Sequence, residues 1–205
     1  MPEGQAWLWR DAATLARTAR LLLHATAALS ALAVAMALAV GVENFESDAI
    51  GLFQLGRALL SLATAVTFFI WLYRANANVR ALGADDMMGS PGLGIGWFFI
   101  PIANLFMPYM IVRDVWRASG RPRDWQGEGT PATILLWWIC WVAGGILASI
   151  SFRIELEHGF KMTPETLWLG FACDLLWIPA SLLLAAIVRG AQERQAGARL
   201  ATAMA

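Results

Sequence analysis

The chain has 205 residues, of which 59% are hydrophobic and only 15% charged, against about 45–50% apolar and about 25% charged in a soluble domain. Its fifteen basic and fifteen acidic side chains cancel, so net charge points to no nucleic acid and no strongly acidic partner. The composition belongs in a bilayer, where helices are the simplest way to satisfy every backbone group.

Residues 5–20, QAWLWRDAATLARTAR, pair Trp7 and Trp9 with Arg10, Arg17 and Arg20. This predicts an interfacial N-terminal helix within residues 1–20, its aromatics at headgroup level. Leu21–Val42 follows as the first span. Its 22 residues rise about 33 Å, enough to cross a hydrocarbon core of roughly 30 Å and too long for the apolar core of a cleaved leader. Ala27, Ala31, Ala35 and Ala39 recur every fourth position, a smooth stripe for close helix packing. After the acidic linker Glu43–Asp48, Ile50–Tyr73 forms a second span carrying Arg57 and runs on as a polar extension, Arg74–Leu82, stopped at Gly83.

Met87–Gly96 is glycine-rich with Pro91 after Ser90 and reads as a loop. Trp97–Val112 is apolar but short for a span, and Pro101 and Pro108 interrupt it. Pro131–Phe152 is the next span, with Gly144/Ala148 and Gly145/Ser149 as small-residue pairs and Trp137, Trp138 and Trp141 as bulk. Thr163-Pro164 reads as a cap and first-turn proline opening the last span, Leu167–Val188. Residues 189–205 read as a basic, alanine-rich cytoplasmic tail that should fray.

Charge decides whether Trp97–Val112 crosses. If it does, there are five spans, and Arg10, Arg17, Arg20, Arg74, Arg80, Arg153 and Lys161 face seven basic residues on the other side, no bias at all. If it does not, four spans put every loop and terminal base on the cytoplasmic side except Arg153 and Lys161, as the positive-inside rule requires. The expected fold is therefore all-α and integral to the membrane. It has four transmembrane helices plus a proline-broken re-entrant or interfacial hairpin between the second and third spans, one membrane domain over residues 1–205, both termini cytoplasmic.

Polar residues within apolar surroundings mark the candidate chemistry. Arg57 and Asp174 lie at similar depth in spans two and four, and neither charge is tolerable there alone, so an intramembrane ion pair is expected, as a structural clamp or part of an ion path. Arg74, Asn78, Arg80, Asn104, Tyr109 and Arg113 suggest a cytoplasm-facing polar pocket. Such a set either holds an anionic group or satisfies the backbone freed by the breakers Pro101 and Pro108. His24 and His158 fall on opposite sides, and Cys140 and Cys173 differ in depth by about 10 Å, too far for a disulfide. No catalytic set, metal site or cofactor is expected.

Trp71, Tyr73, Arg74, Asn78, Arg80, Leu82 and Gly83, followed by Ser90, Pro91, Gly96, Trp97, Phe99, Pro101, Asn104, Pro108, Tyr109, Trp116 and Ser119, form a pattern that resembles the bacterial DUF4328 membrane proteins, a family named for an unknown function. Met107 and Met110 depart from it, standing where members often carry polar or basic residues, which argues against a ligand role there. The resemblance implies a four-helix domain in the bacterial inner membrane and brings no activity or catalytic residue.

The leading functional expectation is a non-enzymatic accessory, scaffold or regulatory subunit that meets membrane lipids, other membrane subunits or its own copies. The competing one is a small homo-oligomeric channel or transporter using the hairpin and the Arg57–Asp174 pair. The four-span topology predicts that cysteines introduced near Met87 and near Arg121 are labelled from the same side of the membrane; labelling from opposite sides would restore the fifth span.

Overall fold

The computed structural model describes residues 7–40, 48–159 and 163–204. Regular structure among them is wholly helical: α1 (Ala13–Val40), α2 (Asp48–Ala81), α3 (Pro91–Gly96), α4 (Met107–Gly120), α5 (Ala132–Glu157) and α6 (Pro164–Met204), with short 3-10 turns at Ala103–Leu105 and Pro122–Gly127. Four helices, α1, α2, α5 and α6, are long and apolar enough to cross a membrane. On α2, Leu52, Leu55, Leu59 and Leu62 are 56–71% exposed, a row that is costly in water and ordinary against lipid.

Several elements differ from the sequence reading. The N-terminal helix begins at Ala13, not near residue 5. Asp11 accepts the Ala13 amide at 2.9 Å, a local bond that competes with helix. Along α1 the buried positions are Ala16, Ala19, Leu23, Ala27, Ser30 and Ala33, while Ala31, Ala35 and Ala39 face outward. The Ala27–Ala39 stripe is therefore not the packing face. The segment 87–96, read as a loop, contains α3, with Ser90 as its N-cap accepting the Leu93 amide at 3.2 Å and Pro91 in its first turn. Pro108 starts α4 instead of breaking a helix, and Pro101 lies in the turn before it.

Packing divides the chain into two compact units: Met1–Arg20, Ala65–Leu135 and Ala185–Ala205 in the first, Leu21–Thr64 and Leu136–Leu184 in the second. In the first, α2 ends where Gly83 adopts φ +97°. The Ala84 amide bonds the Val79 carbonyl at 3.0 Å and the Gly83 amide bonds that of Arg80 at 3.0 Å, a Schellman stop. α4 buries Pro108, Ile111, Val112, Asp114, Val115, Ala118 and Ser119, one stripe at helical spacing. The stretch 97–106 is held on α2 by aromatic contacts: Phe98 and Phe99 lie 5.0 and 5.5 Å from the ring of Phe69. Its tip is apolar and exposed at Phe99, Ile102 and Phe106.

The tail does not fray. Residues 189–204 continue α6, and Val188, Ala191 and Gln195 are fully buried. The Gln195 amide donates to the Ala75 carbonyl and to Ser119 Oγ, both at 3.1 Å. Arg194 donates to Glu128 at 2.6 Å and lies 5.4 Å from the Trp116 ring. In the second unit, Thr163 and Thr166 cap each other's amides at the start of α6. Gly144 gives room to Trp177, and its carbonyl accepts from Cys173 Sγ at 3.6 Å. Cys140 and Cys173 are both free thiols.

A Cβ at Gly190 would collide with the Trp116 ring. Gly190→Ala should therefore cost about 1–3 kcal/mol, the usual range for overpacking, in unfolding measured in detergent. Combining it with Trp116→Ala should cost less than the sum of the two single changes.

Candidate functional site

Two polar constellations stand out, one in each unit. In the first, side chains singled out from sequence are spent largely on backbone groups. Asn78, 1% exposed, accepts the Arg10 amide at 3.0 Å and donates to the Arg10 carbonyl at 2.9 Å, a two-way bond that holds the N-terminal segment as a strand neighbour would. Arg80 donates through Nε to Asn76 Oδ1 at 2.9 Å and through Nη2 to the carbonyls of Met87 and Gly89, tying down the turn that leads into α3. Trp7 lies 5.9 Å from the Arg80 guanidinium and Trp9 5.0 Å from that of Arg199, so both tryptophans pack on cations.

Arg113 bonds the buried carboxylate of Asp114 through Nη2 at 2.8 Å and Nε at 2.9 Å, and lies 6.0 Å from the Tyr109 ring. Asn104 keeps a buried Oδ1 without a hydrogen-bond partner. Arg74 is half-buried. The six residues thus divide among separate contacts, most of which are structural. Burial pushes the Asp114 carboxyl above its ordinary value, against the hydrogen bond and charge of Arg113 and the charge of Arg117.

The second unit joins Arg57 to Asp174. Arg57 Nη2 makes a close ion pair with Asp174 Oδ1 and reaches Ser30 Oγ at 3.3 Å, while Nη1 donates to Gln54 Oε1 at 3.0 Å. The two side chains are only 16% and 9% exposed, so removing either should cost roughly 3–5 kcal/mol by stranding the other. The pair lines a cavity of about 450 Å³ formed by α1, α2, α5 and α6, within the ~300–1,000 Å³ typical of ligand sites. Ala33, Ala37, Ala58 and Ala148 leave the space, Phe171 and Trp177 supply aromatic walls, and Ser151, Glu155 and Thr166 add polar groups. Gln54, Ala58 and Phe152 in the lining are exposed, so the cavity is open.

Polar groups continue inward from this cavity. Ser61 also lines a void of about 10 Å³ with Thr26, Ser30 and Arg57, near the lower limit for one water. Thr26 and Thr64 hydroxyls meet at 3.2 Å beyond it.

Sequence reasoning singled out Arg57 and Asp174 but missed Glu155. From hydropathy the third span ends at Phe152 and Glu155 falls in the linker, whereas α5 runs to Glu157 and Ser151 Oγ donates to Glu155 Oε1 at 3.2 Å. The available signal was Ser151 and Glu155 four residues apart, on one helical face.

A family model described as a domain of unknown function (DUF4328) matches residues 46–193. No curated protein and no solved structure matches the chain.

Because the folded Asp114 carboxyl titrates above its unfolded value, its contribution to stability is fully present below the ordinary pKa near 3.8 and is lost as pH rises through the folded one. Wild type should therefore lose stability relative to Asp114→Asn as pH rises above about 4 and through the folded pKa, measured by unfolding in detergent. A difference that stays flat with pH would show that burial does not govern this carboxyl.

Proposed function

We propose that this chain, which belongs to the DUF4328 family, is a non-enzymatic multi-pass protein of the bacterial cytoplasmic membrane that receives a small polar solute in the Arg57–Asp174 cavity. The observation that carries the reading is the open, roughly 450 Å³ space whose apolar and aromatic walls surround a buried ion pair. Dedicated solute sites in membrane bundles combine these features. With both termini cytoplasmic, as the distribution of arginines favours, the cavity lies toward the opposite side, where its lining includes Ala37 late in α1 and Thr166 early in α6. The row of polar groups running inward past Ser61 to Thr26 and Thr64 suits translocation better than simple capture.

The stretch 97–106 is the re-entrant or interfacial element of this reading. Its exposed apolar tip suits lipid, and its phenylalanines dock on Phe69, inside the second span read from the sequence. Arg80 and Asn78 then act as a clasp that fixes the hairpin and the N-terminal segment, not as a ligand pocket. The accessory-subunit reading is favoured by one observation, the outward leucine row of α2, and co-purification of a stoichiometric membrane subunit in mild detergent would support it.

Cys173 lines the cavity and gives the test. In a Cys140→Ala background, a membrane-impermeant thiol reagent applied from the non-cytoplasmic side should label Cys173. Ala148→Trp, which fills the space, should slow labelling at least tenfold. A Cys173 that reacts only after denaturation would end the solute-site reading.

A further inference from the structure

The side chains of the cavity also define the charge of what enters it. Three ionisable groups line it, Arg57, Asp174 and Glu155, leaving a formal excess of one negative charge. Both terminal nitrogens of Arg57 are already engaged by Gln54, Ser30 and Asp174, so the guanidinium is poorly placed to capture an anion. Two of the three lining hydroxyls are committed as well: Ser151 donates to Glu155 at 3.2 Å, and Thr166 donates to the Thr163 carbonyl at 3.0 Å, which leaves that of Ser61.

Beside the neutral amide of Gln54 and the hydroxyl of Ser61, the charged groups the walls still offer are acceptors. Asp174 uses Oδ1 on Arg57 and Glu155 uses Oε1 on Ser151, and the second oxygen of each carboxylate has no protein donor among the described residues. Glu155 has no ion-pair partner among them either. Phe171 and Trp177 add aromatic faces, which attract cations. The apolar and aromatic share of the lining, with Phe171, Trp177, Leu167 and four alanines, directs the reading to an organic cation.

Resting on the solute-site reading above, we infer that the cavity selects a small organic monocation, an amine with an apolar body. Its ammonium group donates to the free carboxylate oxygens of Glu155 and Asp174, and its body lies against Phe171 and Trp177. An anion of the same size would meet the net negative charge of the lining and is repelled. A neutral isostere would gain the walls but not the charge.

The test uses the full chain in detergent, Cys140→Ala, with benzylammonium, benzyl alcohol and benzoate as probes. Benzylammonium should slow alkylation of Cys173, with an apparent affinity at least tenfold better than benzyl alcohol, and benzoate should not protect. Glu155→Gln, a change on the half-exposed edge of the cavity that leaves the Arg57–Asp174 pair intact, should weaken benzylammonium protection at least tenfold without lowering the unfolding midpoint. Equal protection by alcohol and ammonium, preference for benzoate, or an unaltered Glu155→Gln variant each overturns the cation assignment. If no probe protects a Cys173 that an impermeant reagent still reaches, the assignment fails while the open cavity stands; if the reagent never reaches Cys173, both fail together.

Discussion

A buried backbone amide or carbonyl left unpaired is costly, and many polar side chains of this protein answer that constraint. At three places where the described chain leaves helical geometry, a side chain supplies a bond to the backbone. Asn78 closes both backbone groups of Arg10, Arg80 closes the carbonyls of Met87 and Gly89, and Trp125 Nε1 closes that of Asp85 at 2.8 Å. The concentration of arginine and asparagine around residues 74–89 thus has a structural cause before any functional one. It also explains why a guanidinium is used at position 80: its fork can reach Asn76 and two carbonyls at once, which a lysine cannot do with the same geometry.

The Arg57–Asp174 pair obeys the same physics with a different result. Neither Arg57 nor Asp174 is spent on repairing backbone: α2 is regular through Arg57, and although Pro179 inside α6 removes the helix bond to the Leu175 carbonyl, the Arg57 guanidinium goes to Asp174, Ser30 and Gln54 side chains. Burying two charges costs more than a well-packed apolar pair of similar volume, so helix packing alone gives no reason to place them there. The cost is offset by Ser30 and Gln54 and by the open cavity, which keeps the pair near water. A charge pair held at that expense beside open space is what distinguishes this region from the clasp, where each polar group is accounted for by the backbone it satisfies.

Hydropathy made the four long helices legible, and local chemistry made several ends legible: Gly83 as a helix stop, Thr163-Pro164 as a helix start. Faces were harder. In a soluble helix the apolar stripe is the buried one, but the membrane part of α1 is apolar on most sides, so periodicity does not tell the packed side from the lipid side: the four-residue alanine stripe shares only Ala27 with the buried series through Ala19, Leu23, Ser30 and Ala33. The sole polar member of that series, Ser30, was the better guide. The C-terminal segment was misread for the opposite reason. Its charge and alanine content suggest a solvated tail, while Val188, Ala191 and Gln195 at spacings of three and four carry the buried face. A cavity could not be read at all, because its volume is a property of four helices at once.

That volume supports its own argument. If 450 Å³ were a dry apolar void, the usual ~24 cal/mol per Å³ would make it cost on the order of 10 kcal/mol, comparable to the whole stability of a domain. A chain rich in leucine and tryptophan has ample means to fill such a space, yet alanines stand at 33, 37, 58 and 148. The lining instead carries Arg57, Asp174, Glu155, Ser151 and Thr166 and is open, so the space is neither apolar throughout nor sealed, and the cost of a dry void does not apply in full. Apolar and aromatic walls favour a ligand with an apolar body, and the two carboxylates suit a positively charged end. The same small residues that would be a packing defect in a sealed core are what keep the cavity of this membrane protein available.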